Sequence, residues 1–286
     1  MPTDPDLYDA ILARRSTRRY APAPLDAAAM GQVQEIVSGA VPLVPANHFG
    51  TITRTTSPAE NLVTYLGAYG RLLSPPHYLV PYLVGQDHPL TDLGYRVQQL
   101  AVRLTGLGIG PCFVGSLGRE QDVVARFKLP AKARIGAFLI FGWPATSLGG
   151  RAVNSIIRIA SGATNKLSAE QIFLDGSFAN AVAPPSDLAP LVEAARNAPS
   201  AVDAQPWRLL WQGGRLYLFV KRQNLRYGGG PRGEYRLHDG GTCMANVSLA
   251  LEALGRAGRW RLFAGTEPEI PDYPADLQPL AVLAID

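Results

Sequence analysis

Apolar positions along this chain switch between two spacings, and each switch marks an element. In "LYDAILARR" (7–15) they recur at helical spacing, and "YAPAPLD" (20–26) predicts a turn that ends the helix. Asp26 then stands where an N-cap belongs, ahead of "AAAMGQVQEIVSGA", whose Met30, Val33, Ile36 and Val37 share one face. The Gly/Pro-rich "SGAVPLVPANHFG" closes that second helix. "HYLVPYLVG" (77–85) and "ARIGAFLIFGW" (133–143) are unbroken apolar runs bounded by Pro and Gly, which predicts buried strands. Between them Val97, Leu100, Ala101, Leu104 and Leu107 form one face of a long buried helix over 92–110. The pattern is α+β.

The pattern also repeats. Asp26 of "PLDAAAMGQVQEIVSGAVPLVP" set over Asp187 of "PSDLAPLVEAARNAPSAVDAQP" brings Val41 onto Val202 and Pro45 onto Pro206, an offset of 187 − 26 = 161. Further on, "DLGYRVQQLAVRLTGLG" from Asp92 matches "DGGTCMANVSLALEALG" from Asp239, with Gly94 on Gly241, Leu104 on Leu251 and Gly108 on Gly255. That offset is 239 − 92 = 147. The second copy is therefore shorter by 161 − 147 = 14 residues, and "SPAENLVTYLGAYGRLL" (57–73) is the surplus of the first. Two related modules are expected, residues 1–155 and 170–286, joined by a crossover segment, 156–169. Asp92 and Asp239 open the matched helices in this reading, as N-caps.

Composition narrows the class. The chain has 286 residues, 47% of them hydrophobic, enough for a sizeable core. A net charge of +4 is too small and too scattered to argue for nucleic acid. Cys112 and Cys243 stand apart with no metal-ligand spacing, and His48, His77, His88 and His238 show no pairing pattern, so no metal site is expected. The acidic start and the lack of an apolar run of about 18 residues predict a cytoplasmic protein without membrane contact.

One stretch concentrates charge. "ARRSTRRY" places Arg14, Arg15, Arg18 and Arg19 within six positions, and at the 161 offset Arg14, Arg15, Ser16 and Arg18 fall on Asp175, Gly176, Ser177 and Ala179. The second copy instead holds "NAPSAVDAQPW" (197–207), whose Pro-Ser and Gln-Pro-Trp elements the first copy lacks. Each module keeps a different half of something.

These segments resemble the FMN-dependent nitroreductase family, and more closely the subgroup in which two such modules are fused in one chain. "AILARRSTRRYAPAPL" resembles the family's opening R-x-S-x-R segment, and "ARNAPSAVDAQPW" its A-P-S-x-N-x-Q-P-W segment. "DLGYRVQQLAVRLTGLGIGPCFVGSL" resembles the family's dimer helix and flavin-facing turn. The resemblance implies a nitroreductase-like α+β fold, with the two modules forming an internal pseudo-dimer and a monomeric protein.

It also implies a site. FMN would lie between the modules, its phosphate held by Arg14, Arg15, Ser16 and Arg18, with Lys166 completing the grip. An arginine fork suits that task because it binds phosphate oxygens in pairs. Pro199, Ser200 and Ala201 would face the isoalloxazine ring or its polar edge, with Asp203, where relatives carry asparagine, and Gln205 beside them. The backbone N–H of Gly115 or Ser116 would meet flavin N5, and Arg71 would sit near N1 and O2. Tyr65 and Tyr69 of the surplus segment, with Trp207, would shape the substrate pocket. Only one complete site is expected, since Asp175 stands where the mirror site needs a cation.

The implied activity moves hydride from NAD(P)H through FMN to a small acceptor such as a nitroaromatic or quinone. No catalytic side chain is expected, because the flavin carries the chemistry. Plainer readings stand beside it. "RRSTRR" alone is a solvated helix end, "QPW" alone opens a strand with a core tryptophan, and "GLGIGPCFVG" lacks the strand–loop–helix context and G-K-[ST] ending of a Walker loop. A flavin-binding protein without turnover, and a cofactor-free interaction protein that keeps only the fold, are the alternative functions.

Overall fold

Strands β2 (His77–Val84) and β4 (Ala137–Gly142) are buried on both faces along most of their length, so they read as continuous apolar runs rather than alternating ones. In this computed structural model, which describes residues 4–57, 73–145, 166–265 and 267–286, they form the middle of a four-stranded antiparallel sheet. β1 (His48–Thr55) and β3 (Gly110–Gly115) flank them in the order β1-β2-β4-β3. Leu79, Leu83, Leu139 and Phe141 face helices α2 (Ala27–Ser38) and α3 (Pro89–Gly106). Tyr78, Val80, Phe138 and Ile140 face the other way, toward α4 (Glu120–Phe127).

The second half repeats this plan. After α5 (Ala169–Ile172), β5 (Phe173–Asp175) and α6 (Ala189–Asn197), strands β6 (Trp207–Gln212), β7 (Arg215–Lys221), β8 (Gly258–Leu262) and β9 (Leu277–Ile285) lie in the order β6-β7-β9-β8. That is the order of the first sheet, and α7 (Tyr235–Ala253) stands where α3 does. The repeat reaches the helix ends. α3 is followed by Gly108 at φ +75° and α7 by Gly255 at φ +66°, each stopping its helix in a left-handed turn. Ile109 N–H then returns to the Leu104 carbonyl at 3.0 Å, and Arg256 N–H to that of Leu251 at 2.9 Å.

The chain is thus an α+β protein in which two modules of the same plan form an internal pseudo-dimer, with α3 and α7 packed together between the sheets. Gln98 on α3 donates to Asn246 on α7 at 2.7 Å, both fully buried. The first helix, α1 (Pro5–Ala13), crosses the seam: Leu7, Ala10 and Ile11 lie in one core with Val192, Met244 and Ala250 of the second half.

Two expectations change. Asp92 and Asp239 are not N-caps: α3 starts at Pro89 and α7 at Tyr235, so both carboxylates lie inside the helices and are buried. Nor is 175–179 the structural counterpart of 14–18. β5 runs parallel to β6 and adds a fifth strand to the second sheet, whereas Thr17 N–H bonds the Pro111 carbonyl and Tyr20 bridges Pro144, at the opposite edge of the first sheet.

Candidate functional site

α1 ends where Arg14 leaves the helical conformation, and its N–H makes the last helix bond, to the Ala10 carbonyl at 2.9 Å. That turn directs the Arg14 guanidinium into the protein, where the residue is only 5% exposed. Its Nε and Nη1 are buried without a hydrogen-bond partner among the described residues. Burial, reinforced by the charge of Arg15, lowers its pKa to about 10, still protonated at neutral pH. A buried guanidinium with two idle donors is costly unless something polar meets them.

The groups around it come from both modules. Lys166 reaches the same place from the segment before α5, donating to the Ala198 carbonyl at 2.8 Å and lying 3.4 Å from Asp203 Oδ1. Burial lowers the Lys166 pKa to about 8, with Asp203 opposing the shift and Arg14 adding to it. Ser16 shares a hydrogen bond with the Cys112 thiol on β3, which also senses Arg18 and Arg14. Arg14, Ser16, Arg18, Lys166 and Asp203 are therefore brought together. Arg15 borders the group, but its guanidinium folds back onto the carbonyls of Leu12 and Arg14 at the end of α1.

The turn carrying Asp203 is strained. Val202, Asp203 and Gln205 all have positive φ, at 50°, 53° and 44°, and a β-branched valine rarely tolerates that region. Several bonds hold it there. Ala201 N–H donates to Asp239 Oδ2 at 3.0 Å, Thr242 Oγ1 to the Pro199 carbonyl at 2.7 Å, and Gln205 N–H to Ser200 Oγ at 3.0 Å. Gln205 Oε1 accepts from Leu167 N–H at 2.9 Å, so Gln205 fixes the residue next to Lys166. Pro199, Ser200 and Ala201 remain partly exposed at the surface of this turn.

Other expected residues lie differently. Ser116 is 1% exposed, its N–H bonded to the Gly136 carbonyl at 3.0 Å and its hydroxyl to that of Ile135 at 2.5 Å, so neither is available to a flavin in this arrangement. Gly115 is required by a protein neighbour: a Cβ there would overlap the Tyr235 hydroxyl, which accepts from Leu117 N–H at 3.0 Å. Trp207 is a core residue, 0% exposed at the start of β6. Its large apolar ring is worth more against Leu209 and its neighbours than at a surface. Tyr65, Tyr69 and Arg71 lie outside the described residues.

Sequence reasoning missed the support beneath the turn. Asp239 accepts from Ala201 N–H and from the Tyr227 hydroxyl at 2.8 Å, with His238 Nδ1 3.8 Å away. Burial pushes its carboxyl pKa up, against those hydrogen bonds. The signal was its match to Asp92, which in the same way accepts from Leu43 N–H at 2.9 Å, in the loop after α2.

Among the described residues one hollow lies away from this group. About 410 Å³ opens beside His48, Phe49, Thr51 and Arg96, at the β1 edge that corresponds to the edge covered by β5 in the second sheet. Its Arg96 is already paired with Asp92 at 3.0 Å. No group of three or more His, Cys, Asp or Glu among the described residues is placed to hold a metal, and none of their helices is long and apolar enough to cross a membrane.

Comparison with known proteins bears on this arrangement. A family model described as "Putative TM nitroreductase" matches residues 6–225. A similarly described nitroreductase from Thermotoga maritima has the same fold, with a TM-score of 0.58, 15% identity, and coverage of 98% of this chain and 93% of that one. An FMN-dependent nitroreductase from Clostridium difficile aligns over 47% of this chain and 85% of its own, at 15% identity and a TM-score of 0.40. Nitroreductase A from Vibrio parahaemolyticus aligns over 50% and 69%, at 19% identity and 0.43. Among curated proteins nothing matches.

Proposed function

The chain belongs to the TM nitroreductase family, a family of oxidoreductases, and from that premise we propose that it is an FMN-dependent NAD(P)H oxidoreductase with one complete site per chain. The observation that carries the reading is Arg14: a buried guanidinium with two idle donors, next to a partly buried lysine, fits a phosphate. When bound, FMN supplies two-electron chemistry between NADH or NADPH and a nitroaromatic or quinone.

The chain's own residues bind and orient. Arg14 and Lys166 neutralise the phosphate, with Ser16, Arg18 and Arg15 around it. The strained 199–203 turn covers the ring from the second module, and Gln205 holds the Lys166 segment in place. Arg71, Tyr65 and Tyr69 belong to the proposal as groups at the ring edge and pocket wall. So do the module limits at 155 and 170, a monomeric state and a cytoplasmic setting.

One observation favours binding without turnover: the Ser116 N–H, a candidate partner for flavin N5, is bonded to Gly136. Reconstitution separates the readings. Protein incubated with FMN and desalted should be yellow, bleach anaerobically with NADH or NADPH, and recolour with menadione or a nitroaromatic. Yellow protein that neither nucleotide bleaches is a binding protein. Colourless protein contradicts both flavin readings.

A further inference from the structure

Asp203 is an unusual neighbour for an anion site. Its carboxylate is buried, with Oδ1 3.4 Å from Lys166 Nζ and Oδ2 without a hydrogen-bond partner among the described residues. The charged and titratable groups around it come from every side: Arg14 and Arg15 after α1, Lys166 before α5, Arg18 and Cys112 beyond Arg14, and Cys243 on α7 beyond Lys166. Arg226 donates to its carbonyl at 2.9 Å, and its N–H bonds the Ser200 carbonyl at 3.2 Å, so the residue is fixed rather than free to swing out. The left-handed φ of 53° suits Asp or Asn and few other residues. Local geometry thus leaves two fitting side chains, one charged and one neutral, and this chain carries the charged one.

Resting on the FMN reading, we propose that Asp203 is the resident counter-ion of Lys166 and Arg14 in the free protein, and that it sets cofactor affinity by competing with the incoming phosphate for those cations. Ligand-free, the carboxylate offsets part of the cost of one buried and one partly buried cation. Ligand-bound, the same carboxylate faces a phosphate across the cations they share, and like charges at short range repel. One residue therefore trades cofactor affinity for stability of the free protein.

The test is Asp203→Asn in the full chain, which keeps the left-handed turn and removes the charge. FMN binding is followed by quenching of flavin fluorescence, and thermal unfolding is recorded with and without inorganic phosphate. The account expects FMN to bind the variant at least tenfold more tightly than wild type at pH 7.5. The ligand-free variant should melt lower than wild type, and phosphate should raise its melting temperature by more. Asp203→Gly, which also tolerates the left-handed φ and lacks the charge, should show a similar gain in affinity with a similar loss of stability in the ligand-free form, whereas a purely structural role of the carboxylate would show the loss without the gain. If Asp203→Asn does not fold, Asp203→Gly carries the comparison alone. FMN binding to both proteins with no gain in the variant overturns this inference alone. Failure of FMN and phosphate to bind either protein overturns it together with the FMN reading.

Discussion

Gly94 and Gly241 make one contact from opposite sides of the helix pair. A Cβ on Gly94 would overlap the carbonyl of His238, and a Cβ on Gly241 would overlap that of Thr91. Both pairs are related by the 147-residue offset that aligns Asp92 with Asp239. The contact is isologous, as in a two-fold dimer, but within one chain. Gly94→Ala and Gly241→Ala should therefore destabilise by similar amounts, about 1–3 kcal/mol through overpacking. At roughly 2–4 °C per kcal/mol, calorimetry should show falls of several degrees in both variants. A variant that melts with wild type would show that the backbones do not touch there.

Asp239 ties the 199–203 turn to α7, so removing its carboxylate should loosen the turn before the fold. Asp239→Ala leaves the Ala201 N–H and the Tyr227 hydroxyl without their acceptor, a loss of about 1–3 kcal/mol for each orphaned donor. Asp239→Asn keeps an acceptor and should lose less. Urea unfolding measures both, and amide exchange at Ala201 should quicken in the alanine variant. Unchanged exchange there would remove Asp239 from the support of the turn.

Trp207 is expected to matter for stability and not for substrate choice. Trp207→Ala should cost about 3–5 kcal/mol as a large buried side chain is lost. Trp207→Phe should fold, with relative rates toward different acceptors unchanged. A shift in acceptor preference with phenylalanine would return Trp207 to the pocket wall.

Lys166 should make stability depend on pH in one direction. Its folded pKa of about 8 lies below the ordinary 10.5, so between those values the unfolded chain holds the proton more often. Stability of the ligand-free protein therefore rises with pH across that window, and the full penalty is present below it. Lys166→Met should flatten this dependence, and the stability difference between variant and wild type should narrow from pH 7.5 to 10. A difference that widens with pH would have the wrong sign for a lysine whose pKa is lowered by burial.

Much of the scaffold was legible because it rests on local periodicity. The long helix over Val97–Leu104, the strand from His77 and the Asp26 cap appear where the pattern placed them, with Asp26 Oδ1 accepting from Ala29 N–H at 2.8 Å. Long-range pairing was not legible. β5 joins β6 in parallel, so Asp175 lies at a sheet edge that no local frame of 14–18 predicts. Asp92 and Asp239 read as caps because they begin the matched segments, yet Pro89 starts α3 three residues earlier and draws Asp92 inside. The left-handed φ at the β-branched Val202 runs against local preference, and such conflicts gather at functional sites. Within the site, the arginines and Lys166 could be chosen from sequence, but only the fold shows that Ser116 is already bonded and Trp207 sealed in the core.

The central claim, that Arg14 waits for the phosphate of a flavin, is tested most directly by titrating wild type and Arg14→Met with FMN and with riboflavin, which lacks the phosphate. Hydrogen bonds to a charged partner contribute about 1.5–3 kcal/mol each, so wild type should prefer FMN by at least about tenfold. Arg14→Met should lose most of that preference, while its ligand-free form keeps a stability close to wild type, because the two buried donors without hydrogen-bond partners are gone together with the charge that Asp203 offsets. Equal affinity of wild type for FMN and riboflavin, or full FMN affinity in the variant, would contradict the account.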